Sequence, residues 1–368
     1  MAKLKRVVIK IGTSILVDEN KKISIKRVAD LARQVKQLRD KGIKPIIVTS
    51  GAIACGMEML GLKKKPQEIE KKQALAAIGQ SQLMKMYMEA FAKKKIKVGQ
   101  VLLTHEDIKS KTRCLNLMNT LNTLLSMDIV PVINENDTLS FKEIRFGDND
   151  NLSALIAQIC DADLLLLLSD VEGLFDKDPH KNPDARIIRV VEKVDEKIEK
   201  TASGTRSEQS TGGMKSKLEA VKKAGAYGIP TLIVRGGTPE IILKEVRGEK
   251  IGTLFRPERK LARNKWWSAF AFKVRGKIRI DKGAEQAVVT NKKSLLPAGV
   301  KNVKGDFSRG ECVELLNAEG RLIAKGLTNY SAADIQKIKG MKSMEIEKKL
   351  GYAYAEEVVH RDNMVVLC

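Results

Sequence analysis

Short apolar runs alternate with helical periods along the first two thirds of the chain. Each run is rich in Val, Ile and Leu and ends in small or polar residues, which predicts a buried β-strand. The predicted strands cover residues 6–12, 44–51, 96–104, 128–137, 161–170 and 229–236. Near-continuous apolar strands that are separated by helices are typical of a mostly parallel sheet with helices on both faces. The pattern therefore predicts an α/β fold, a three-layer αβα sandwich, up to about residue 255.

The pattern changes in the last part of the chain. From residue 276 onwards, short strands are punctuated by glycine turns, as in the segment 294–331. Such spacing is typical of a small β-rich domain that folds separately. We therefore predict an α/β domain over 1–255, a basic linker over 256–275 and a β-rich domain over 276–368.

Composition narrows the class of protein further. With 43% hydrophobic but only 4% aromatic residues, the core must be largely aliphatic. The longest apolar run, five leucines at 164–168, is far shorter than a membrane span of roughly 18 residues, and the first 14 residues do not resemble a signal peptide. Five scattered cysteines without CxxC spacing and only three histidines do not predict a zinc site or a disulfide framework. These features predict a cytoplasmic protein without a membrane segment.

The net charge of +22 comes mostly from lysines spread over predicted helix faces. The segment Arg256–Lys282 differs, because it contains ten Lys or Arg residues and two acidic residues. Its interleaved aromatic residues are Trp266, Trp267, Phe270 and Phe272. A basic, aromatic segment of this kind serves either as a nucleic-acid contact or as a linker with anchoring aromatics.

Polar and glycine-containing segments follow several of the predicted strands. In an open parallel sheet, ligands bind beyond the carboxyl ends of the strands, so these segments are predicted to meet at one edge. They are Gly12-Thr13-Ser14, Thr49-Ser50-Gly51, Asn134-Glu135-Asn136-Asp137, Ser169-Asp170 and Gly147-Asp148-Asn149-Asp150-Asn151. An ordinary turn or a helix cap explains any one of them, but their occurrence at one sheet edge favours a site for small, polar ligands.

A further segment, 204–220, contains a candidate phosphate site. Gly212 and Gly213 precede Lys215 and Lys217 where a helix is predicted to begin. Backbone N–H groups at a helix N-terminus bind phosphate, and an ammonium group can follow the group that is transferred. The spacing is not that of a Walker A loop, so the segment indicates phosphate handling of another kind.

Taken together and in this order, the motifs resemble those of the amino acid kinase family. They are VIKIGTS, IVTSGAIACG, VPVINENDT, GDNDNLSALIA, LLLLLSDVEGLFDKDP and TGGMKSKLEA. The resemblance is strongest to members that phosphorylate the side-chain carboxylate of glutamate with ATP in proline synthesis. The tail, with SLLPAGVKNVKGDFSRGE and HRDNM, resembles a PUA domain.

The resemblance implies that Lys10, Lys217 and Asp150 are the catalytic residues. A carboxylate acceptor is already ionised at neutral pH, since its reference pKa is about 4.3, so the reaction needs no strong base. Charge in the transition state is spread over the phosphoryl oxygens. Lys10 and Lys217 are the candidates that neutralise this charge, and Asp150 is expected to hold both ammonium groups in position.

The resemblance also implies which residues bind the substrates. Asp137, with Asp148 near it, is expected to accept from the α-ammonium of glutamate, while Ser50 and Asn149 are expected to donate to its carboxylates. The residues implied for ATP binding are Lys10, Gly12, Ser169, Asp170, Thr211, Gly212, Gly213, Met214, Lys215, Ser216 and Lys217. Magnesium (Mg2+) is expected to be held mainly by phosphate oxygens and water, with no protein ligand assigned.

Partners and alternatives complete the sequence-based expectations. The resemblance implies L-glutamate and ATP as substrates, a homo-oligomer, proline as a feedback inhibitor and RNA contact through the PUA domain. Because an acyl phosphate hydrolyses readily, we also expect contact with a glutamyl phosphate reductase. Two alternatives stay open: a different amino acid kinase acting on uridylate, aspartate or acetylglutamate, and an RNA-binding protein whose PUA domain carries the main function. The NENDT and GDNDN pair favours an unmodified amino acid as the substrate.

Overall fold

The chain folds into two compact units. The computed structural model describes residues 4–18, 22–139, 149–179, 181–196, 198–199, 213–249, 251–257 and 274–367. The first unit comprises Met1–Ile108 and Met118–Arg263, and the second comprises Lys109–Leu117 and Asn264–Cys368. Most of the predicted linker, including its four aromatic residues, lies outside the described residues.

The first unit is built on a sheet that has eight strands in the described part of the chain. The strands are β1 (Arg6–Ile11), β2 (Lys44–Thr49), β3 (Val98–Leu103), β4 (Val130–Glu135), β5 (Leu164–Ser169), β6 (Val190–Val191), β7 (Thr231–Arg235) and β8 (Thr253–Phe255). Their order is β3-β4-β2-β1-β5-β7-β8-β6, and all neighbours are parallel except β7 and β8. All six apolar runs predicted as strands belong to this sheet, so the predicted mostly parallel α/β fold is confirmed.

Helices connect these strands and cover both faces of the sheet. They are α1 (Thr13–Leu16), α2 (Ile25–Asp40), α3 (Ala52–Met59), α4 (Ile69–Ala92), α5 (His105–Lys109), α6 (Lys111–Ser126), α7 (Asn149–Ile159), α8 (Met214–Ala226) and α9 (Ile241–Arg247). The predicted cap is present, since the Ser24 side chain accepts from the backbone N–H of Arg27 at the start of α2. None of the described helices combines the length and apolar character needed to cross a membrane.

The alternation of side chains along β1 determines which of them reach the candidate site. Val7 and Ile9 point into the core that α2, α4 and α9 cover. Successive side chains of a strand point to opposite faces, so Val8 and Lys10 point to the other face, where α7 packs against β1. This parity directs the only charged side chain in the last four residues of β1 towards α7.

Two glycines bring α3 and α4 into close contact. A Cβ atom on Gly79 of α4 would lie 1.9 Å from the carbonyl oxygen of Ala52, the first residue of α3. A Cβ atom on Gly56 of α3 would lie 2.0 Å from the carbonyl oxygen of Leu75. Because no side chain fits at either position, both must be glycine, and the middle of α4 lies against the start of α3.

The second unit is a small β-rich fold, as predicted. Its described strands are β9 (Gly276–Ile280), β10 (Val300–Gly305), β11 (Cys312–Leu316), β12 (Leu322–Leu327) and β13 (Met364–Val366), in the order β10-β9-β11-β12-β13. Its helices are α10 (Lys282–Val289), α11 (Ala332–Ile338) and α12 (Ile346–Leu350). A separate apolar core, formed by residues between 278 and 366, supports this sheet.

Candidate active site

Four adjacent strands of the large sheet end at the same edge. Because β4, β2, β1 and β5 are neighbours and run parallel, the segments that follow them lie side by side. Helix α7 begins at this edge, where the side-chain Nδ2 of Asn149 donates to the carbonyl oxygen of Thr49 at 2.8 Å. The sheet topology therefore brings together loops that lie more than a hundred residues apart in the sequence, such as those at Gly12 and Ser169.

Lys10, Asp150 and Lys217 form a buried ion cluster at this edge. The Nζ atom of Lys10 lies 2.5 Å from Oδ1 of Asp150, and the Nζ atom of Lys217 lies 3.2 Å from Oδ2 of the same carboxylate. Asp150 is completely buried, and the two lysines are 7% and 5% exposed. The hydroxyl of Ser216 also donates to Oδ2 of Asp150, at 3.3 Å. The predicted grouping of these three charged residues is thus present in the folded chain.

The electrostatics of the cluster favour an additional anion. Burial by itself raises the pKa of Asp150, but the charges of Lys10 and Lys217, and their hydrogen bonds, outweigh it and hold that pKa below its usual range. Asp150 also lies in the first turn of α7, where the helix dipole stabilises a negative charge. Among the contacts of the described residues, two ammonium groups share one carboxylate, so this arrangement carries a net positive charge in a site with little access to water. Since buried charges need compensation, an anion such as a phosphate is the expected ligand.

The sequence places each lysine locally. Lys10 is the fifth residue of β1, immediately before the last residue of the strand. A Cβ atom on the following Gly12 would lie 3.7 Å from Nζ of Lys10, so the glycine backbone passes close to the ammonium group. Lys217 lies in the first turn of α8, with Gly213 as the N-cap. Lys215, two residues earlier on the helix, points outwards and is exposed.

A second group of polar side chains lies at the ends of β2 and β4. The Nδ2 atom of Asn149 lies 2.8 Å from Oγ of Ser50 and 3.0 Å from Oδ1 of Asn134. Asn134 in turn donates through Nδ2 to Oε1 of Gln80, at 2.8 Å. The remaining polar atom of the Asn149 side chain, Oδ1, is buried and has no hydrogen-bond partner among the described residues.

The other predicted residues occupy less constrained positions. Ser169 is buried at the end of β5, and its hydroxyl donates to Oδ1 of the exposed Asp170 at 3.0 Å. Asp137 lies half-buried in the turn after β4, and Met214 is the half-buried first residue of α8. Asp148, Thr211 and Gly212 lie outside the described residues.

Two polar residues near this group were not predicted to have a site role. Asn134 was recognised only as part of a polar loop, and Gln80 was not singled out. A signal for Gln80 exists in the sequence, because it follows Gly79 within the apolar stretch ALAAIGQ of α4. That signal has meaning only once the packing of Gly79 on α3 is known.

No metal cage is built from protein side chains in the described part of the chain. Among the described residues, the lysine cluster included, no group of three or more His, Cys, Asp or Glu residues is arranged in a way that suits a metal ion. Both oxygens of the Asp150 carboxylate are engaged by ammonium groups. A magnesium ion held by phosphate oxygens and water would need no carboxylate ligand from this cluster.

The site at the sheet edge, with paired lysines on a buried carboxylate, defines an α/β protein suited to bind a phosphorylated ligand without a Walker A loop. The sequence profile of the amino acid kinase family matches residues 5–235, and that of the PUA domain matches residues 276–350. The chain belongs to the amino acid kinase family and carries a C-terminal PUA domain.

Similar proteins extend this assignment along the whole chain. The chain is 46% identical over 368 residues to the glutamate 5-kinase of Geobacter sulfurreducens, and the aligned region covers 100% of this chain and 99% of that protein. It is 48% identical over 362 residues to the glutamate 5-kinase of Thermus thermophilus, which covers 98% of this chain and 97% of that protein. The structure of carbamate kinase from Giardia lamblia bound to AMP-PNP covers 70% of this chain and 99% of its own, with a TM-score of 0.51 and 15% identity. This structural likeness supports the fold alone.

Proposed function

We propose that the protein transfers the γ-phosphoryl group of ATP to the side-chain carboxylate of L-glutamate, forming L-glutamyl 5-phosphate in the first step of proline biosynthesis. The observation that carries the proposal is the cluster of two buried lysines on Asp150, in a chain that resembles curated glutamate 5-kinases over its full length. The excess positive charge of the cluster suits a reaction that brings two anions together.

The chemistry requires little from the protein besides positioning and charge. A carboxylate oxygen of glutamate attacks the γ-phosphorus, a new P–O bond forms, and the bond to the leaving oxygen of ADP breaks. Lys10 and Lys217 stabilise the charge that develops on the phosphoryl oxygens. Asp150, which pairs with both, holds the ammonium groups at fixed positions between the substrates.

The hydrogen bonds around Asn149 refine its expected role in glutamate binding. Its Nδ2 group already faces three protein acceptors, so it has no hydrogen to spare for a substrate carboxylate. Its Oδ1 atom is the one without a partner among the described residues, and it is suited to accept from the α-ammonium. The Ser50 hydroxyl accepts from Asn149, which leaves its own hydrogen for a carboxylate. Asp137 and Asp148 are proposed as further acceptors for the α-ammonium.

ATP is proposed to bind between the end of β5 and the start of α8. The N-terminus of α8 offers backbone donors and a positive dipole end to the phosphates, and Lys10 and Lys217 lie beside it. The proposed contacts are Gly12, Ser169, Asp170 and the segment Thr211–Lys217. A magnesium ion bound to the phosphates would neutralise part of their negative charge.

Several finer properties are proposed on the basis of the resemblance. They are a homo-oligomeric assembly, feedback inhibition by proline, transfer of the product to a glutamyl phosphate reductase, RNA contact through the PUA domain and a cytoplasmic location. The division into an α/β domain over 1–255, a linker over 256–275 and a PUA domain over 276–368 is also proposed. It is supported by two apolar cores that share no residue.

A substrate panel tests the proposed activity. ADP formation is measured with glutamate, aspartate, acetylglutamate and UMP as acceptors, and the acyl phosphate is trapped with hydroxylamine. We expect turnover with glutamate and a trapped hydroxamate. A preference for UMP or acetylglutamate would assign the chain to another activity of its family. Absence of turnover with every acceptor, combined with tight RNA binding, would favour the alternative in which the PUA domain carries the main function.

A further inference from the structure

A chain of three carboxamide side chains leads from helix α4 into the proposed glutamate site. Asn149 donates to Oδ1 of Asn134 at 3.0 Å, and Asn134 donates to Oε1 of Gln80 at 2.8 Å. Every hydrogen bond points in the same direction, from the site towards α4. Gln80 is the last of these three carboxamides, and it lies outside all of the strand-end loops that form the site.

The fold places Gln80 at this position through its neighbour Gly79. Gly79 packs directly against the backbone of Ala52, at the start of α3, two residues after Ser50. A larger residue at Gly79 would push α4 away from α3 and move Gln80 out of reach of Asn134. The close helix contact thus has a consequence beyond packing, because it sets the distance between α4 and the loop that carries Ser50.

The donor-to-acceptor direction of these hydrogen bonds determines which side-chain atom of Asn149 is left to bind a ligand. The Oδ1 atom of Asn134 accepts from the backbone N–H of Glu135 at 2.9 Å as well as from Asn149. Its Nδ2 group is held on the opposite side by Gln80. If the Asn134 amide were turned over, its Nδ2 group would face the backbone N–H of Glu135 and the Nδ2 group of Asn149, which are both donors. Because Gln80 helps to hold Asn134 in its present orientation, it also helps to keep Oδ1 of Asn149 as the acceptor that has no partner among the described residues.

Buried polar atoms at both ends of the chain point to a functional role. The Nε2 atom of Gln80 and the Oδ1 atom of Asn149 are both buried, and neither has a hydrogen-bond partner among the described residues. Such atoms are rare in folded proteins because each loses its bonds to water without compensation, and those that occur call for an explanation. If these three carboxamides had only a structural role, apolar residues in their place would make the fold more stable. Carboxamides that orient a binding residue need their polar atoms.

We propose that Gln80 is a positioning residue for the amino-acid substrate. It acts through Asn134, which helps to hold the side chain of Asn149 in the orientation that binds the substrate. The proposal rests on the proposed function, since it assumes that Asn149 contacts glutamate. Gln80 itself is assigned no contact with the substrate or with ATP. Its loss is therefore expected to affect glutamate binding selectively.

The substitution Gln80→Met tests this role, because methionine keeps the length of the side chain and removes its hydrogen bonds. We expect the KM for glutamate to rise roughly threefold to tenfold, which corresponds to the loss of a typical neutral hydrogen bond. The KM for ATP and the melting temperature should match those of the control Gln82→Met. Gln82 is on the same helix, two residues further on, and is half-buried. Gln80→Leu serves as a second variant if the first does not fold.

A double-mutant cycle separates positioning from general stability. In the Asn149→Ala background, Gln80→Met should not weaken glutamate binding further, as measured by calorimetry. An equal loss in both backgrounds, an unchanged KM for glutamate, or equal rises in the KM values for glutamate and ATP would overturn the inference. Absence of glutamate turnover in the unmodified chain would instead refute the proposed function, so the two failures are distinguishable.

Discussion

The ammonium group of Lys10 lies 2.5 Å from the carboxylate of Asp150, and neither side chain has more than slight contact with solvent. Lys10 lies on β1, the fourth strand in the order of the sheet, and Asp150 lies on α7, 140 residues later in the chain. Removing Asp150 would take the shared carboxylate from two buried ammonium groups, and the loss of one partner of a buried ion pair typically costs about 3–5 kcal/mol. Removing Lys10 would leave Asp150 paired with Lys217, so a smaller cost is expected. The pair is therefore expected to contribute to stability as well as to catalysis.

Replacing Lys217 should separate catalysis from binding. We expect Lys217→Met to lower kcat by orders of magnitude while glutamate and ATP still bind, because the ammonium group acts mainly on charge that exists only in the transition state. Lys10→Met should behave similarly, with some loss of ATP affinity. Lys222→Met is the matched control, since Lys222 is exposed on the same helix and is assigned no contact with either substrate. Turnover of Lys217→Met close to that of this control would remove Lys217 from the mechanism.

Replacing Asp150 should change how stability depends on pH. The pKa of Asp150 in the folded chain lies below its ordinary value, so the carboxylate stabilises the fold above roughly pH 4. This contribution is lost as the pH falls through the lowered pKa. At pH 7 we expect Asp150→Asn to lower the free energy of unfolding by about 3–5 kcal/mol. Below roughly pH 4 the difference should narrow by up to about 1.4 kcal/mol per pH unit.

Urea unfolding at a series of pH values measures this difference. Asp40→Asn is a suitable control, because Asp40 pairs with Lys36 at an exposed site where ion pairs contribute little. A stability difference between Asp150→Asn and the unmodified chain that stays constant from neutral to acidic pH would contradict the assigned linkage.

The role of Asp137 predicts a selective effect on one substrate. If its carboxylate pairs with the α-ammonium, Asp137→Asn should raise the KM for glutamate about tenfold to a hundredfold, since a hydrogen bond to a charged group contributes roughly 1.5–3 kcal/mol. The KM for ATP should change little. Steady-state kinetics with each substrate varied in turn measures both KM values. A rise confined to the KM for ATP would show that Asp137 acts in ATP binding and not in glutamate binding.

Two Gly→Ala substitutions should have opposite effects on stability. A Cβ atom on Gly79 would collide with the backbone of α3, so Gly79→Ala should destabilise the fold by about 1–3 kcal/mol. A Cβ atom on Gly225, in α8, meets no atom within 4 Å. Gly225→Ala should therefore stabilise the fold by about 0.5–1 kcal/mol. Thermal or urea unfolding measures both, and equal effects would show that the α3–α4 contact is looser than described.

The proposed domain division predicts that the α/β domain functions alone. A chain that ends after Phe255 contains every strand of the large sheet that the structure describes and every loop assigned to glutamate and ATP. We expect it to fold and to phosphorylate glutamate, with changes limited to regulation and assembly. Circular dichroism and the ADP assay check the two properties, and a folded but inactive truncation would refute the division.

The sequence by itself determined the class of fold and singled out the candidate charged residues of the site. Runs such as 164–168 are so apolar that only a buried strand accommodates them, and their alternation with helices leaves a parallel sheet as the arrangement. Lys10 was recognisable because it lies within an apolar run just before a glycine loop, whereas the role of Asp150 was implied by the family resemblance. Lys217 was recognisable from its place after a glycine pair at a helix start.

Only the tertiary structure decided the network behind these residues. Gln80 follows a glycine in an apolar stretch, but its contact with Asn134 depends on how closely Gly79 lets α4 approach α3. The same holds for Asn149, for which the family resemblance implied a donor role, whereas the fold surrounds its Nδ2 group with protein acceptors. Periodicity and composition report which side chains are buried, since burial depends on local pattern. Hydrogen-bond direction depends on which distant groups come within about 3 Å, and that is set by packing.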